Sequence, residues 1–404
     1  MVIKKPKGTR DIYGSLCEKY RYIEDVFREI CKRYNFRELR TPIFEYKDLY
    51  KSSLGENTDV VNKEMFEFKD AGGREVVLRP EGTAGIIRSY IEEGINNKKI
   101  YYYGTMYRQE RPALGRYREF RQAGVESIGV NSTVDEVEII QIVNEIFNSL
   151  GIEYELYINT VGCFCRKKLE QELKIFLENK KSLLGEKDKE RLEEEKIMRI
   201  LDSKDEDTQS VIKLMPFIKE LVCDSCKIDY DKLRLCLDRL GMGYFEDNSL
   251  VRGLDYYTGN VFEVYIRGRK DLGAVCGGGR YDGLVERLGG KKESCCGFAI
   301  GMDRIVDFVG ENKDWKEKGV DYYVITVGSD LNVELKAIEV ASKYRYKNRV
   351  EIDAGNKSIK SKLRRANKEG AEKVIIIGED EIEKGLINIK DLRTGEDWSQ
   401  SLTI

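Results

Sequence analysis

The chain has 404 residues, 35% of them charged and 41% hydrophobic, with a formal net charge of −2. A chain of this length can form two or three domains, each with its own core. The near-neutral charge excludes a general nucleic-acid coating protein, so any RNA contact has to come from local basic patches. The N-terminus lacks the apolar core of a signal peptide, and no apolar run reaches the length of a membrane span. We therefore expect a cytoplasmic protein without a membrane partner.

The sequence contains no histidine. This excludes Ser-His and Cys-His nucleophilic sites, HExxH metal sites and any imidazole general base from this chain. Any catalysis must use carboxylates, arginines, metal ions or the substrate's own groups. Ten irregularly spaced cysteines in a chain of this size indicate reduced thiols rather than a disulfide framework.

The first predicted elements are a helix and two strands. Apolar residues at helical spacing predict a helix over 16–34, with Ser15 as its N-cap. A strand at 36–42 packs on this helix in the simplest interpretation. A short buried strand at 76–78 then delivers Glu81 and Thr83 to a turn, where residues of these types often cap a helix.

The segment 101–129 combines two predicted strands with a charged loop. Pro112 and Gly115 mark the loop, so a long antiparallel hairpin is predicted. Its arginines carry planar forks of donors that suit phosphate and carboxylate oxygens. They are Arg108, Arg111, Arg116, Arg118 and Arg121. On composition alone, a polyanion site and a charge-paired surface ribbon are about equally supported.

A helix that ends at Gly151 is predicted next, with Ser132 and Asp135 as its capping box. Residues 161–240 differ in character, because Lys and Glu are dense at helical spacing, as is typical of exposed helices.

Two cysteine pairs lie in this stretch, and four cysteines can ligate zinc. They are Cys163 with Cys165 and Cys223 with Cys226. Because C-x-C is a poor spacing for a zinc knuckle, buried or merely reduced thiols are the favoured interpretation.

From residue 247 the pattern returns to strands and glycine-rich turns. In 250–257 (LVRGLDYY) an arginine precedes a glycine, and two tyrosines are predicted to face opposite sides of a strand. Glycines at 277–279 let the backbone approach a ligand, although as a phosphate loop they are a weak signal. Glycines in 297–304 precede Arg304 at the start of a helical stripe.

A charged run at 312–318 predicts a linker to a last domain. Beyond it, strands alternate with helices, which predicts a small α/β domain with a largely parallel sheet. One helix supplies the positive patch that the overall charge lacks. The cations of this patch are Lys357, Lys360, Lys362, Arg364 and Arg365.

Six stretches together resemble the signatures of one family. They are 7–11 (KGTRD), 78–84 (LRPEGTA), 108–122, 250–257 (LVRGLDYY), 278–283 (GGRYDG) and 297–304 (GFAIGMDR). Their content and order resemble the class II aminoacyl-tRNA synthetases, and more narrowly the histidyl-tRNA synthetases. The segment 36–42 fits the place of the family's dimer motif, which implies a homodimer.

The resemblance implies an α+β fold with a catalytic domain on an antiparallel sheet, a helical insertion and a C-terminal α/β anticodon-binding domain. The implied division is 1–160 and 241–311 for the catalytic domain, 161–240 for the insertion, and 320–404 for the anticodon-binding domain.

The resemblance also implies the reaction and its residues. L-histidine and ATP, with Mg²⁺, form histidyl-adenylate, and the histidyl group passes to the 3′ end of tRNA(His). Arg108 and Arg252 are the implied catalytic residues, on the α-phosphate and the carboxylate. The implied histidine-binding residues are Glu81, Gly82, Thr83, Arg108, Gln122, Glu126, Arg252, Tyr256 and Tyr257. For ATP they are Arg108, Glu110, Arg116 and Arg304, and for tRNA we predict Lys360, Lys362, Arg364 and Arg365 from the basic patch.

Such chemistry needs no histidine in the enzyme, because the amino-acid carboxylate is already an ionised nucleophile. The alternative is a non-catalytic paralogue that senses histidine or uncharged tRNA. Such paralogues lose the arginines and the Gly-Arg-Tyr-Arg loop. Here the arginines are present, and the loop lies at 115–118. Asp303 replaces the family's usual glutamate, so we leave it out of the site. Arg121 replaces an expected histidine, which leaves acceptor-stem recognition open.

Overall fold

The computed structural model describes residues 3–55, 58–130, 132–310, 315 and 319–402. The chain forms two compact units, Met1–Lys313 and Asp314–Ile404. The linker predicted at 312–318 lies outside the described residues, apart from Trp315. Within the described ranges, every helix is too short or too polar to span a bilayer.

The first unit is organised around a large, mainly antiparallel sheet. Its strands are β1 (Arg37–Glu38), β2 (Phe44–Tyr46), β3 (Glu67–Lys69), β4 (Glu75–Leu78), β5 (Lys99–Tyr107), β6 (Glu119–Ile128), β7 (Tyr154–Thr160), β8 (Phe245–Glu246), β9 (Asn260–Ile266), β10 (Cys276–Arg280) and β11 (Cys295–Gly301). Among the described residues, eight of them form one sheet in the order β1-β5-β6-β11-β10-β9-β7-β8. The inner pairs are antiparallel, whereas the edge strands β1 and β8 pair in parallel. A small second sheet has the order β2-β4-β3.

The hairpin predicted at 101–129 is confirmed by the pairing of β5 with β6. Their register runs from Lys99 opposite Ser127 to Tyr107 opposite Glu119. The loop between the strands therefore begins at Arg108, so the arginine-rich part of the predicted motif lies at the end of a two-stranded ribbon.

Helices cover the sheet and form the insertion. They are α1 (Ser15–Arg33), α2 (Lys47–Leu54), α3 (Thr83–Glu92), α4 (Thr133–Leu150), α5 (Arg166–Glu178), α6 (Glu186–Glu193), α7 (Ile197–Leu201), α8 (Glu206–Ile212), α9 (Ile218–Leu221), α10 (Asp224–Arg239), α11 (Leu284–Arg287) and α12 (Met302–Ile305). A π-helical turn at Val60–Glu64 and short 3₁₀ turns at Lys181–Leu183, Lys270–Leu272 and Val306–Phe308 complete the unit.

Of the two predicted helix N-caps, that of α4 is correct and that of α1 is wrong. The capping box of α4 is confirmed, since Ser132 accepts from the Val134 N–H and Asp135 accepts from the Ser132 N–H. The predicted N-cap of α1 is wrong. Ser15 is its first helical residue, and the N-cap is Gly14 with φ of 63°, a left-handed conformation that favours glycine.

The charge density of the insertion suggested exposed helices. The structure instead shows that α5–α10 each bury part of their surface. On α5, Leu169, Leu173 and Leu177 are fully buried at helical spacing. They belong to the same hydrophobic cluster as Tyr256 and Tyr257 of the catalytic part. The boundaries predicted at residues 160 and 240 stay predictions, because the insertion and the catalytic part share this core.

The second unit contains an α/β sheet that is only partly parallel. Its strands are β12 (Tyr322–Thr326), β13 (Val350–Asp353), β14 (Lys373–Ile377), β15 (Leu386–Asp391) and β16 (Asp397–Ser401), and its helices are α13 (Leu331–Tyr344), α14 (Ile359–Lys368) and α15 (Glu379–Lys384). The order is β13-β12-β14-β15-β16. The first three strands are parallel and the last two extend the sheet as an antiparallel hairpin. The sequence pattern missed β16, whose residues are all exposed.

Candidate active site

A cleft of about 560 Å³ opens in the first unit between the sheet and the insertion helices. Its wall contains all but one of the residues predicted for histidine and ATP: Glu81, Thr83, Arg108, Glu110, Arg116, Gln122, Glu126, Arg252, Tyr256, Tyr257 and Arg304. The exception is Gly82. A Cβ atom at Gly82 would collide with the ring of Tyr102, so packing of that ring accounts for the glycine.

One end of the cleft contains a buried carboxyl group. Glu126 is 1% exposed and accepts hydrogen bonds from Thr83 Oγ1 at 2.7 Å and from the Tyr281 hydroxyl. Burial raises the pKa of Glu126 to about 8, although both hydroxyl donors act to lower it. An acidic group that is neutral near physiological pH can donate a hydrogen bond to a ligand as well as accept one.

Glu81 both caps a helix and lines the cleft, which are the two roles that the sequence suggested for it. Its carboxylate accepts from the backbone N–H groups of Thr83 at 2.7 Å and Ala84 at 2.9 Å, which caps α3. The same side chain is buried in the wall of the cleft, and burial raises its pKa. Helix capping thus holds the carboxylate in one orientation towards the cleft.

The tyrosines of the segment 250–257 lie side by side, so the prediction that they face opposite ways is wrong. Their segment forms turns rather than a strand, and successive side chains need not alternate. The ring centroids of Tyr256 and Tyr257 are 4.7 Å apart, and Tyr281 packs edge-on against Tyr256 at 5.5 Å. Together the three rings form a buried aromatic wall beside Glu126.

Arg252 lies over the sheet, where a carboxylate pairs with it and a glycine leaves room for its guanidinium. It forms an ion pair with Glu263 of β9, and its guanidinium lies 5.3 Å from the centroid of the Tyr257 ring. A Cβ atom at Gly277 would collide with this guanidinium, so the glycine makes room for the protein's own arginine rather than for a ligand.

Two polar atoms in the wall have no protein partner within the described part of the chain. They are Nε of Arg252 and Oε1 of Gln122, and both are buried. Because buried polar groups are almost always hydrogen-bonded, these atoms indicate a ligand that presents both an acceptor and a donor.

The other end of the cleft is rich in cations. Glu110 Oε1 lies 3.6 Å from Arg108 Nη1, and Glu110 Oε2 lies 3.8 Å from Arg116 Nη1. Arg304 is half-buried and donates to the carbonyl oxygens of Gly115 and Ala274. Burial, together with the positive charges of Arg116 and Arg108, lowers the pKa of Arg304. This end therefore favours a polyanion.

Asp303, which was left out of the predicted site, lines the cleft and also has a structural role. It forms an ion pair with Arg10 at 2.7 Å and accepts from the Tyr20 hydroxyl at 2.7 Å and from the Arg121 N–H at 2.5 Å. The guanidinium of Arg121 stacks over the Tyr20 ring at 5.1 Å. The aspartate thus ties the N-terminal segment to β6.

Several residues of the cleft had no role assigned from the sequence. Tyr281 lies in a recognised signature but had no assigned role, and Glu263 lies in an ordinary strand. The insertion adds Arg166, Arg191, Arg199 and Lys204 to the wall. In a segment dense in charge, such residues cannot be told from solvated ones until the fold places them.

The basic patch of the second unit needs one correction. Lys362 is 1% exposed, and its ammonium group donates to the Thr326 carbonyl oxygen at 2.7 Å and hydroxyl oxygen at 3.2 Å. It therefore faces the domain core and cannot contact RNA here. Lys360 and Arg364 are exposed, whereas Arg365 lies 3.7 Å from carboxylate oxygens of both Glu351 and Asp353.

Comparison with known proteins extends over almost the whole chain. The family model described as Histidyl-tRNA synthetase matches residues 8–221 and 230–305, and the one described as Anticodon binding domain matches residues 321–403. The chain is 40% identical to histidine–tRNA ligase of Halothermothrix orenii, covering 98% of this chain and 96% of that protein. It is 41% identical to histidine–tRNA ligase of Acetivibrio thermocellus, covering 100% and 98%. The crystal structure of apo S. aureus histidyl-tRNA synthetase superimposes with a TM-score of 0.79 at 34% identity, covering 99% and 98%.

The raised pKa of Glu126 predicts that Glu126→Gln increases the free energy of unfolding at pH 8. A glutamate in the unfolded chain has a pKa of about 4.3, whereas the pKa of Glu126 in the folded protein is about 8. Between these values the folded state keeps a proton that the unfolded state has released. This group therefore lowers wild-type stability by up to about 1.4 kcal/mol per pH unit as pH rises through that window.

Denaturant unfolding at pH 4, 6 and 8 measures this effect, and the stability difference should shrink towards pH 4. Glu190→Gln, at an exposed glutamate of α6, is the control and should differ from wild type equally at each pH. If the stability difference between Glu126→Gln and wild type does not change with pH, the raised pKa of Glu126 is contradicted.

Proposed function

The chain belongs to the histidyl-tRNA synthetase family, and from this premise we propose how its residues divide the reaction. The chain catalyses the ATP-dependent ligation of histidine to tRNA. The observation that supports this most directly is the polarity of the cleft, with a buried carboxyl group at one end and a cluster of arginines at the other. Histidine and ATP complement these two ends. We place the reaction in the cytoplasm, where tRNA and ATP are both available.

Histidine would occupy the end that contains Glu126. An imidazole ring offers a donor and an acceptor when neutral and two donors when protonated, and Glu126 and Tyr257 can match these states. The α-ammonium group would be bound by Glu81, Thr83 and Gln122, whose oxygens are acceptors. The unpaired Oε1 of Gln122 supports this assignment.

ATP would bind at the arginine-rich end. Arg116 and Arg304 would hold the β- and γ-phosphates and the ring, and Glu110 would accept from the adenine amino group. Mg²⁺ usually binds through one or two carboxylates together with substrate phosphates. Glu64, which lines the same part of the cleft and whose pKa is raised by burial and by Glu110, fits that role. When bound, the ion neutralises charge on the phosphates.

The chemical step needs positioning and charge neutralisation rather than a general base. The histidine carboxylate attacks the α-phosphorus, and the bond to the pyrophosphate leaving group breaks. Arg108 and Arg252 would clamp the carboxylate and the α-phosphate. Arg108 is anchored by donation from Nε to the Pro80 carbonyl oxygen at 2.9 Å, which orients a guanidinium whose Nη1 lies 3.6 Å from Glu110 Oε1. A ribose hydroxyl of tRNA then attacks the acyl carbon and AMP leaves.

The sharpest prediction of this scheme concerns Arg252→Ala. Charge on the α-phosphate oxygens grows towards the transition state, so a fixed guanidinium acts more strongly there than in the ground state. We expect histidine-dependent pyrophosphate–ATP exchange to fall by about a thousandfold, or about 4 kcal/mol, with smaller changes in the apparent constants for ATP and histidine. Arg252→Lys should restore only part of the rate, because lysine lacks the planar fork.

The ion pair with Glu263 requires a control for stability. Arg252→Ala leaves a half-buried carboxylate unpaired, which should lower the melting temperature. Arg252→Ala with Glu263→Gln should regain stability without regaining activity. Arg267→Ala, at an exposed arginine just after β9, should exchange at the wild-type rate. Near-normal exchange by Arg252→Ala would refute its catalytic role, and no exchange by wild type would favour the non-catalytic alternative.

For tRNA binding, the corrected patch predicts the effect of Lys360→Glu with Arg364→Glu. Both side chains are exposed on α14, so reversing them should weaken tRNA binding and reduce the salt slope by about one per lost phosphate contact. Pyrophosphate exchange should not change, because the cleft lies in the other unit.

The matched control for this pair is Lys343→Glu with Lys347→Glu, which makes the same charge change at the exposed end of α13 and just beyond it. Filter binding across a salt series and exchange assays measure the two effects. Equal losses of exchange and of tRNA charging would indicate misfolding instead of a lost contact.

We also propose that the chain acts as a homodimer through the region that begins with segment 36–42. The small sheet that follows it exposes aromatic rings on one face: Phe44 is 58%, Tyr46 51% and Phe68 47% exposed. Tyr46 and Phe68 flank Val76 across neighbouring strands, so the rings form one patch. Apolar patches of this kind mark interaction surfaces.

Light scattering should therefore give about twice the chain mass of 46.7 kDa. Phe44→Asp with Phe68→Asp should halve the measured mass, because it buries two charges in the contact. Tyr346→Asp, at a ring that is 85% exposed in the other unit, should leave the mass unchanged. A monomeric wild type would exclude the dimer.

A further inference from the structure

The two cysteine pairs of the insertion converge on one point. Cys163 and Cys165 lie in the turn between β7 and α5, and Cys223 and Cys226 lie at the start of α10. All four Sγ atoms are within 4.8 Å of one another. The Sγ atoms of Cys163 and Cys223 are 3.7 Å apart, and those of Cys165 and Cys226 are 3.9 Å apart.

The two shorter separations, 3.7 and 3.9 Å, match the edges of a metal-centred tetrahedron. With Zn–S bonds of about 2.3 Å, tetrahedral geometry places neighbouring sulfurs about 3.8 Å apart. A disulfide would instead require about 2.05 Å. We propose that Cys163, Cys165, Cys223 and Cys226 bind one Zn²⁺ ion as a structural tetrathiolate site.

In the sequence, the poor C-x-C spacing weighed against a zinc site. The fold removes this objection. The spacing rule assumes that one short knuckle presents both sulfurs of a pair. Here each pair is positioned by the start of a long helix, because Cys165 is the N-cap of α5 and Cys223 the N-cap of α10. The tertiary packing of these helix ends brings the two pairs together.

A backbone donor also faces the sulfur cluster. The N–H of Cys163 donates to Sγ of Cys226 at 3.2 Å, a contact of the kind that orients sulfur ligands around zinc. Mg²⁺ and Ca²⁺ are excluded as occupants because they prefer oxygen ligands.

The position of the site indicates what the metal does. It joins the first and last helices of the insertion, α5 and α10, and so closes a loop of about sixty residues. The entrance of this loop is paired to the catalytic part, since the N–H of Val161 donates to the Gly259 carbonyl at 2.8 Å and that of Gly259 to the Gly162 carbonyl at 2.9 Å. Arg166 donates to the Tyr257 carbonyl at 3.3 Å. The metal thus fixes the insertion beside the cleft without taking part in the chemistry.

Elemental analysis of the untagged, full-length protein tests the proposal. We expect one zinc per chain, released by an organomercurial reagent in step with four thiols and detected with a metal-sensitive dye. After removal of zinc under reducing conditions, Co²⁺ should restore the intense visible absorption of a tetrahedral tetrathiolate site. Both measurements use the wild-type chain, so they remain decisive if a cysteine variant fails to fold.

Variants supply the matched comparison. Cys163→Ser with Cys223→Ser should reduce zinc to background and lower the melting temperature. Cys17→Ser with Cys236→Ser, at two partly exposed cysteines outside the cluster, should retain one zinc per chain. The proposal is overturned by a reduced wild-type chain that neither contains zinc nor binds Co²⁺ through four thiolates. Iron as the resident metal, a disulfide between these cysteines in the native protein, or undiminished zinc in the Cys163→Ser with Cys223→Ser variant would also overturn it.

Discussion

The cleft depends on pairing a charged or ionisable side chain on one element with a glycine on a neighbouring strand. Glu126 on β6 lies opposite Gly297 on β11, where a Cβ atom would collide with the carboxyl group. Arg252 occupies the space over Gly277 on β10 in the same way. A sheet surface that carried side chains at these glycines would be filled, because protein interiors are close-packed. The glycines therefore create the volume in which the polar groups of the cleft can meet a substrate.

The electrostatics of the cleft follow from this burial. Removing a carboxyl group from water favours its neutral form, and crowding guanidinium groups together disfavours their charged forms. Both effects are present here, at Glu126 and at Arg304. A fold that retains such unfavourable groups gains from them only when a complementary ligand is bound. Histidine and ATP are complementary in this sense, since one presents a ring with donors and acceptors and the other a chain of phosphates.

The regions outside the catalytic sheet use charge and sulfur in ways that composition does not reveal. In the second unit a basic helix directs Lys362 inward, where it donates to Thr326, while Lys360 and Arg364 face solvent. In the insertion, helices dense in Lys and Glu pack their leucines into the same core as the tyrosines of the cleft. The proposed zinc site joins the start of the first helix of this insertion to the start of its last helix.

Local signals in the sequence determined the elements and the kind of chemistry. The capping box at Ser132, the loop glycine and proline of the hairpin, and helical or strand periodicity act within a few residues, so they survive without tertiary context. The order of the motifs and the absence of histidine likewise pointed to arginine and carboxylate chemistry from the sequence alone.

Only the tertiary structure decided which groups are buried and which ones meet. It placed the two tyrosines of 250–257 side by side, turned Lys362 into the core and added β16 to the sheet. It also brought the sulfur atoms of four distant cysteines within 4.8 Å of one another. Each of these outcomes depends on contacts between segments far apart in the chain. Their energies come from packing and desolvation, which no local pattern of residues encodes.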